Sequence, residues 1–187
     1  MIGEMITIRI CGTRPLLMHS GRLADPLDPI TQDLARITAK RPKTIADHEE
    51  IARREWHGSL WLDGGRPCIP AEALEASFAE AARSRRRQRQ ARAGFLVTEP
   101  ALLEYQGPDT VEQLWQDSRF RLRHAVRVNQ ARMMRTRPRF AIWAAEFNAT
   151  FLASLLSRTE ILELFAIAGF SVGIGDWRPK YGRFEVM

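Results

Sequence analysis

The alternation of apolar and polar residues along the chain predicts a mixture of strands and helices. Ile6, Ile8 and Ile10 alternate with polar residues, a spacing typical of a half-buried strand, so we predict a strand over residues 5–12. Elsewhere the apolar residues recur every three to four positions, as on one face of a helix. The predicted helices cover residues 30–39, 46–56, 70–94, 111–115 and 157–169.

Turn residues divide the remaining apolar segments into further strands and hairpins. Asp63-Gly64 predicts the turn of a hairpin within 60–69, and Pro100 interrupts a strand region over 95–105. Charged and apolar residues alternate from Arg119 to Phe140, which predicts an extended hairpin with two different faces. The last predicted strands cover residues 141–151 and 181–187.

Without two inserted segments, the order of elements is strand, helix, strand, strand, helix, strand. This order predicts an α+β protein with a ferredoxin-like or RRM-like βαββαβ domain. We therefore expect a single domain over residues 1–187, with an insertion at 13–69 and a basic hairpin insertion at about 116–139. A generic α+β domain of another topology is the alternative.

Composition adds a positive charge carried almost wholly by arginine. The chain has 28 Lys and Arg against 22 Asp and Glu, a net charge of +6, and lysine only at positions 40, 43 and 180. The planar guanidinium group grips phosphate through two hydrogen bonds and stacks on bases. The excess of arginine therefore favours nucleic acid as a partner.

Several other classes of protein are disfavoured. Cys11 and Cys68 are too few for a disulfide framework or a four-cysteine zinc site. We find no secretory signal and no apolar run long enough to cross a bilayer, so we expect a cytoplasmic protein without a membrane partner. No Walker motif or serine nucleophile motif is present, and we expect neither a cofactor nor a metal.

The predicted hairpin is the most basic part of the chain. Residues 119–144 contain eight arginines and no acidic residue. Their mutual repulsion would be relieved by phosphates, although a solvated hairpin face is the alternative. The arginines that we expect to contact nucleic acid are Arg119, Arg121, Arg123, Arg127, Arg132, Arg135 and Arg137.

A second candidate is the glycine-rich loop between the last helix and the last strand. Glycine at 173, 175 and 182 permits positive φ, and exposed N–H groups in such a loop could cradle a phosphate. A tight turn with an aromatic plug is the alternative. The residues expected to bind here are Gly173, Gly175, Trp177, Arg178, Lys180, Tyr181 and Arg183.

Three short motifs give the chain a resemblance to a known family. The C-terminal Gly-x-Gly followed by Gly182-Arg-Phe184, the segment Arg66-Pro-Cys-Ile-Pro-Ala-Glu-Ala-Leu74, and the loop Leu16–Asp28 are similar to motifs of the RAMP superfamily. These proteins are the RNA-binding subunits of CRISPR effector complexes. The resemblance spans the scaffold, and a divergent or virus-encoded relative would fit it.

The resemblance implies a subunit of a ribonucleoprotein filament that grips single-stranded, guide-like RNA. It implies that His19 and Arg22 also contact the strand, and that the protein associates with itself and with other effector subunits. The residues alone leave RNA and single-stranded DNA open, as they do a viral DNA-binding or assembly protein. They also leave open a metal-dependent endoribonuclease using Asp25 or Asp28 with His19, although catalysis is the less favoured reading because both aspartates precede prolines or turns.

Overall fold

The computed structural model describes residues 3–187 and has a mixed α+β architecture with antiparallel sheets. The predicted α+β class is therefore confirmed. The chain forms two compact units, and each unit is built from segments that are separated in the sequence. The first unit comprises Met1–Leu17, Leu62–Gln106 and Phe140–Met187, and the second comprises Met18–Trp61 and Gly107–Arg139. The two segments of the second unit, 18–61 and 107–139, overlap the two predicted insertions.

The first unit contains most of the strands. They are β1 (Glu4–Gly12), β2 (Leu16–Leu17), β3 (Leu62–Asp63), β4 (Arg66–Ile69), β5 (Phe95–Val97), β6 (Ala101–Glu104), β9 (Ala144–Phe151) and β10 (Phe184–Val186). Its helices are α3 (Ala71–Arg83), α4 (Gln88–Gly94) and α6 (Arg158–Ile167). The second unit contains the helices α1 (Pro29–Ala39), α2 (Ile45–Ser59) and α5 (Val111–Gln116) and the strands β7 (Arg121–Val128) and β8 (Ala131–Phe140). Phe140, the last residue of β8, belongs to the first unit.

The sheet of the first unit has the strand order β10-β1-β9-β6-β4-β3, and β5 also pairs with β9. Its central pair is β1 and β9, which run antiparallel from Glu4 opposite Phe151 to Cys11 opposite Ala144. The alternation of β1 buries Ile6, Ile8 and Ile10, as the sequence predicts. Because successive side chains point to opposite faces, the other face of β1 is left exposed.

Aromatic side chains fill the space between this sheet and the helices α3 and α6. Phe78 of α3 lies 4.4 Å from Phe95 and 4.9 Å from Phe165, measured between ring centroids. Phe147 of β9 adds a further ring 5.6 Å from Phe165. Burying such side chains stabilises the fold by roughly 1.5–3 kcal/mol each, so this cluster fixes the helices on one face of the sheet.

The second unit is built on helices α1 and α2. Asp28 begins α1 by accepting hydrogen bonds from the amides of Ile30 and Thr31, and Thr44 begins α2 in a capping box with Asp47. Asp47 also pairs with Lys40, and this hydrogen bond, with those from Thr44, holds the pKa of Asp47 well below its usual range.

Trp56 is the centre of the second unit's core. Its side chain is fully buried, and its indole N–H donates to the carbonyl of Phe120 at 2.8 Å. The ring of Trp115, on α5, lies 5.6 Å away. The hydrogen bond satisfies the polar end of the buried indole, so α2 is tied to the segment that leads into β7.

Two predicted elements differ from the structure. The single helix predicted over residues 70–94 is two helices, because the chain breaks between Arg83 and Gln88, where Arg86 has a φ of 56°. Arg87 in this break donates to the carbonyl of Leu155 at 2.7 Å. The helix is thus interrupted at a tertiary contact, in a segment that contains no proline or glycine from which the break could be predicted.

The end of the last helix was also predicted wrongly. Gly169 does not end it, because the helix passes into a wider turn over Ala168–Val172 and stops at Gly173, which has a φ of 75°. Gly169 instead packs tightly, since a Cβ there would lie 2.0 Å from the carbonyl oxygen of Phe184. The final strand is shorter than predicted, and the first hairpin turns at Gly64 and Gly65 rather than at Asp63 and Gly64.

Candidate nucleic-acid interface

The basic segment forms the predicted hairpin from β7 and β8. The strands pair in register from Arg121 opposite Pro138 to Val128 opposite Ala131. This register leaves a two-residue turn, Asn129 and Gln130, in which Asn129 adopts a φ of 54°. Asparagine tolerates this left-handed conformation better than most residues, so the turn suits its sequence.

The register puts several arginines on one face of the hairpin. Arg121, Arg123 and Arg127 alternate along β7, and Arg132 lies directly opposite Arg127. Like charges in directly opposed positions destabilise a strand pair. The tip of the hairpin therefore holds a concentration of positive charge that an anion would relieve.

A cleft of about 570 Å³ lies beside this hairpin, and we call it the basic cleft. Helix α2, the end of α1 and the hairpin form its walls. Its apolar lining includes Ile45, Ile51, Met133 and Met134. Its charged and titratable residues are Arg41, Lys43, His48, Glu55, Arg123, Arg132 and Arg135.

Most of the cations of the basic cleft meet no carboxylate. Arg41 donates to the carbonyls of Thr38 and Lys40, and Lys43 donates to the carbonyl of Lys40. Neither side chain forms an ion pair with a carboxylate of residues 3–187. Among the described residues, no ion pair is recorded for Arg123 or Arg132. These charges remain available to an anionic ligand.

Among the described residues that line the basic cleft, Glu55 is the one acid, and it is buried. It is only 2% exposed, accepts a hydrogen bond from the amide of Thr136 at 3.0 Å, and forms an ion pair with Arg135. Buried charges require such partners because desolvation is costly. Glu55 therefore fastens β8 to α2 and forms one wall of the cleft.

A second cleft, of about 650 Å³, lies on the same helix and hairpin, and we call it the mixed cleft. Its lining carries both signs of charge. Arg121 sits 4.6 Å above the ring of Trp115, a cation–π contact. The lining residues are Ala46, Glu49, Glu50, Ala52, Arg53, Trp115, Ser118, Arg121, Arg123 and Thr136, of which Ala52, Arg123 and Thr136 also line the basic cleft.

Three of the predicted phosphate-binding arginines are engaged within the protein. Arg119 forms a salt bridge of 2.6 Å with Asp117, and this hydrogen bond holds the pKa of Asp117 below its usual value. Arg135 pairs with Glu55, as described above. Arg137 is only 6% exposed, so its assignment to a surface contact is corrected. Because Arg119 and Arg135 are paired with acidic residues and Arg137 is buried, these three arginines are less available to bind phosphate.

The loop after β2 has a local structural role in the second unit. Asp25 accepts a hydrogen bond from the amide of Leu27 at 2.9 Å, which is an Asx turn. Arg22 forms a 2.8 Å salt bridge with Asp28, the residue that caps α1. Burial alone would raise the pKa of Asp28, but the hydrogen bonds from Arg22 and the capped amides outweigh it and lower the pKa. His19 is exposed near the start of this loop.

The glycine-rich loop lies in the first unit, and its amides bond to the protein itself. The amide of Ile174 donates to Gly182, and that of Gly182 donates to Pro15, at 2.9 and 2.8 Å. A Cβ at Gly182 would lie 1.7 Å from the oxygen of Ile174, and one at Gly175 would lie 2.2 Å from that of Leu17. The glycines thus permit close contact between backbone segments, and the amide of Gly173 donates to the carbonyl of Ala168 at 2.8 Å, so it is not free to bind a phosphate.

Some side chains of this loop are exposed to solvent, whereas its backbone packs against the protein. Arg178 and Lys180 are exposed, whereas Trp177 and Tyr181 are half-buried with ring centroids 6.1 Å apart. Arg183 donates to the carbonyl of Pro179 at 2.8 Å. Within this loop, Arg178 and Lys180 are therefore the cations best placed for an electrostatic contact.

The exposed face of the large sheet is poorly suited to binding bases. Arg9 and Glu104 form a two-fold hydrogen-bonded ion pair of 2.7 and 2.6 Å across it, and Glu146 is exposed on β9. No aromatic side chain lies on this face among the described residues. Since a sheet that binds RNA stacks bases on aromatic rings, the cations of the second unit are the better candidate interface.

The structure therefore brings together a part of the predicted set. Arg121, Arg123 and Arg132 line the two clefts of the second unit, with Arg127 near the hairpin tip. Other residues of the two clefts were not predicted from the sequence: Arg41, Lys43, His48, Glu49 and Glu55 from α2 and the segment before it, and Trp115 from α5. The basic run Lys40-Arg-Pro-Lys43 was a usable signal for two of them.

Comparisons with known proteins add no assignment, since no family model and no curated protein sequence matches the chain. Within residues 3–187, no helix combines the length and apolar character required to cross a membrane. Over the same residues, no three His, Cys, Asp or Glu side chains are grouped so that they could hold a metal ion.

Proposed function

We propose that the protein binds single-stranded nucleic acid, with RNA as the favoured ligand, through the basic cleft of its second unit. One observation carries this proposal. Five arginine and lysine side chains and His48 line the cleft, and its only acid, Glu55, is buried against Arg135. Such an excess of positive charge in a concave surface suits a chain of phosphates.

The walls of the cleft also fit a strand whose bases are not paired. Met133 and Met134 are 42% and 47% exposed, although both are apolar. Flexible methionine side chains adapt to irregular apolar surfaces, such as the faces of unstacked bases. A cleft with cations and adaptable apolar groups therefore binds phosphate and base together, with little dependence on sequence.

The choice of RNA rests on the resemblance to the RAMP superfamily, and so does the proposed filament. The strand order of the first unit supports a ferredoxin-like domain: β10, β1 and β9 are adjacent, β5 and β6 lie beyond β9, and α3 and α6 follow the first and third of the corresponding strands. The glycine-rich loop precedes the last strand, as the family pattern requires. Self-association and other effector subunits as partners are part of the same proposal.

The proposal assigns no catalytic step. Asp25 holds an Asx turn, and Asp28 caps a helix and pairs with Arg22, so both carboxylates have structural tasks. These contacts support a binding role over the metal-dependent endoribonuclease that uses Asp25, Asp28 and His19. If labelled RNA is cut in the presence of Mg²⁺, and the Asp25→Ala plus Asp28→Ala variant no longer cuts it, the non-catalytic assignment is wrong.

Fluorescence anisotropy with a labelled 15-nucleotide uridine strand tests the binding proposal. Binding should weaken as salt rises, and Arg132→Gln should reduce the slope of log K against log salt by about 0.7. Arg119→Gln removes the same charge from a residue already paired with Asp117, so it should change the slope less.

The same titration separates the possible ligands. The titration is repeated with a DNA strand of the same length, and tighter binding of that strand than of the RNA strand would favour a single-stranded DNA-binding protein. If the wild-type protein binds neither strand at low salt, the proposed function is refuted. Equal effects of Arg132→Gln and Arg119→Gln would refute the assignment of the binding site to the basic cleft.

A further inference from the structure

The mixed cleft differs from the basic cleft in its charge. Glu49 and Glu50 of α2 oppose Arg53, Arg121 and Arg123 in its lining. The two carboxylates offset much of the positive charge, so phosphate is attracted less here than in the neighbouring basic cleft. The volume of about 650 Å³ lies within the range of small-molecule sites, so the cleft has room for a base.

The two acids of this cleft are in different states. Both oxygens of Glu50 accept hydrogen bonds from arginine, with Arg53 at 2.8 and 2.9 Å and Arg54 at 2.7 Å. The hydrogen bond from Arg53 is the main cause that lowers the pKa of Glu50 to about 2. Glu49 is exposed, and no hydrogen bond or ion pair is recorded for its carboxylate among the described residues. Glu49 therefore retains its full capacity to accept hydrogen bonds.

Other residues of the lining offer a surface for stacking. The guanidinium of Arg121 lies 4.6 Å above the ring of Trp115, and both side chains line the cleft. Unstacked bases of single-stranded RNA stack on aromatic rings and on guanidinium planes. A base in the cleft would extend the Trp115–Arg121 stack and present its edge to the helix that carries Glu49.

We propose that the mixed cleft is a nucleobase subsite that receives one unstacked guanine from the bound strand, with Glu49 accepting from the base. This inference rests on the proposed function. A carboxylate with two free oxygens matches two adjacent N–H donors. Guanine has such a pair in N1–H and the exocyclic amine, whereas the Watson–Crick edges of adenine, cytosine and uracil place an acceptor beside each donor.

The test compares strands that differ at one base. Labelled 15-nucleotide uridine strands carry guanosine, adenosine, cytidine or inosine at the centre, and anisotropy gives each affinity. Guanosine should bind roughly tenfold more tightly than adenosine, the scale of a good two-bond base contact. Inosine lacks the exocyclic amine and should fall between them.

Variants then assign the preference to its residue. Glu49→Gln should abolish the preference for guanosine, because an amide offers one acceptor and adds donors of its own. Glu146→Gln removes an exposed carboxylate in the first unit and should preserve the preference. Glu49 is exposed on its helix, so its replacement should not unfold the protein.

The outcomes separate this inference from the proposed function. If no strand binds at low salt, the proposed function fails and this subsite fails with it. If all four strands bind equally to the wild-type protein, binding stands and the subsite is refuted. If the Glu49→Gln variant still prefers the guanosine strand, the assignment to Glu49 is refuted. The assignment is equally refuted if the wild-type protein shows no preference and Glu49→Gln merely binds all four strands more tightly.

Discussion

Replacing Glu55 by alanine should destabilise the second unit, because this carboxylate is buried and fully engaged. Breaking a buried ion pair by removing one partner costs about 3–5 kcal/mol. The side chain of Arg135 is 29% exposed, so water can solvate its unpaired guanidinium group and reduce this cost. The orphaned amide of Thr136 costs about 1–3 kcal/mol in its turn. We therefore expect Glu55→Ala to lower the free energy of unfolding by about 3 kcal/mol.

Urea unfolding followed by tryptophan fluorescence measures this change. Three of the five tryptophans, at positions 56, 61 and 115, belong to the second unit, so the signal reports on the affected part. Glu55→Gln should cost less, about 1–2 kcal/mol, because the amide still accepts from Thr136. Glu49→Ala, on an exposed face of the same helix, is the control and should remain within about 0.5 kcal/mol of wild type.

Binding provides an independent check of the same reasoning. Removing an acid should by charge alone strengthen binding to a phosphate strand. We expect Glu55→Gln to weaken it instead, since Arg135 then loses its ion pair with α2 and only the hydrogen bond from Thr136 still ties β8 to position 55. A loss of stability under about 1 kcal/mol in Glu55→Ala, or tighter strand binding by Glu55→Gln, would show that Glu55 does not shape the cleft.

Three further predictions concern stability and reactivity. Gly182→Ala places a Cβ 1.7 Å from the oxygen of Ile174 and should lower the thermal midpoint by many degrees, whereas Gly21→Ala, with no atom within 4 Å, should change it little. Burial lowers the pKa of His57, so folding favours the neutral ring. The free energy of unfolding should therefore decline as the pH falls from about 6.5 toward the lower pKa of the folded protein. A His57→Gln variant should lack this part of the decline. Burial raises the pKa of the Cys68 thiol to about 11, so iodoacetamide at pH 8 should modify it only after unfolding; rapid modification of the folded protein would contradict its burial.

The elements that the sequence predicted well are those specified by local patterns. The strand with Ile6, Ile8 and Ile10 and the helix begun by Ser157 both follow from residues close in the chain. The hairpin of β7 and β8 was visible for the same reason, since its alternation is local. The break between α3 and α4 was not, because it accompanies the contact of Arg87 with a carbonyl far along the chain.

The candidate site was harder to predict because charges find partners through space. Arg119, Arg132 and Arg135 are equivalent in a sequence pattern, but only Arg132 lacks an acidic partner among the described residues. The glycine-rich loop misled in a similar way. Positive φ at Gly182 was foreseeable, but the bond from its amide to Pro15 depends on a segment more than 160 residues earlier in the chain.

The pairing of β1 with both β9 and β10 affects how the protein is made on the ribosome. Ile10 lies opposite Val186, so one neighbour of the first strand is synthesised long after that strand itself. Until β10 is synthesised, the edge of β1 that pairs with it has unpaired backbone groups. The sheet that buries the isoleucines of β1 is also incomplete until then. Contacts so distant in sequence slow folding and favour aggregation of the waiting strand. Expression at lower temperature or with chaperones that hold nascent chains should therefore raise the yield of folded protein.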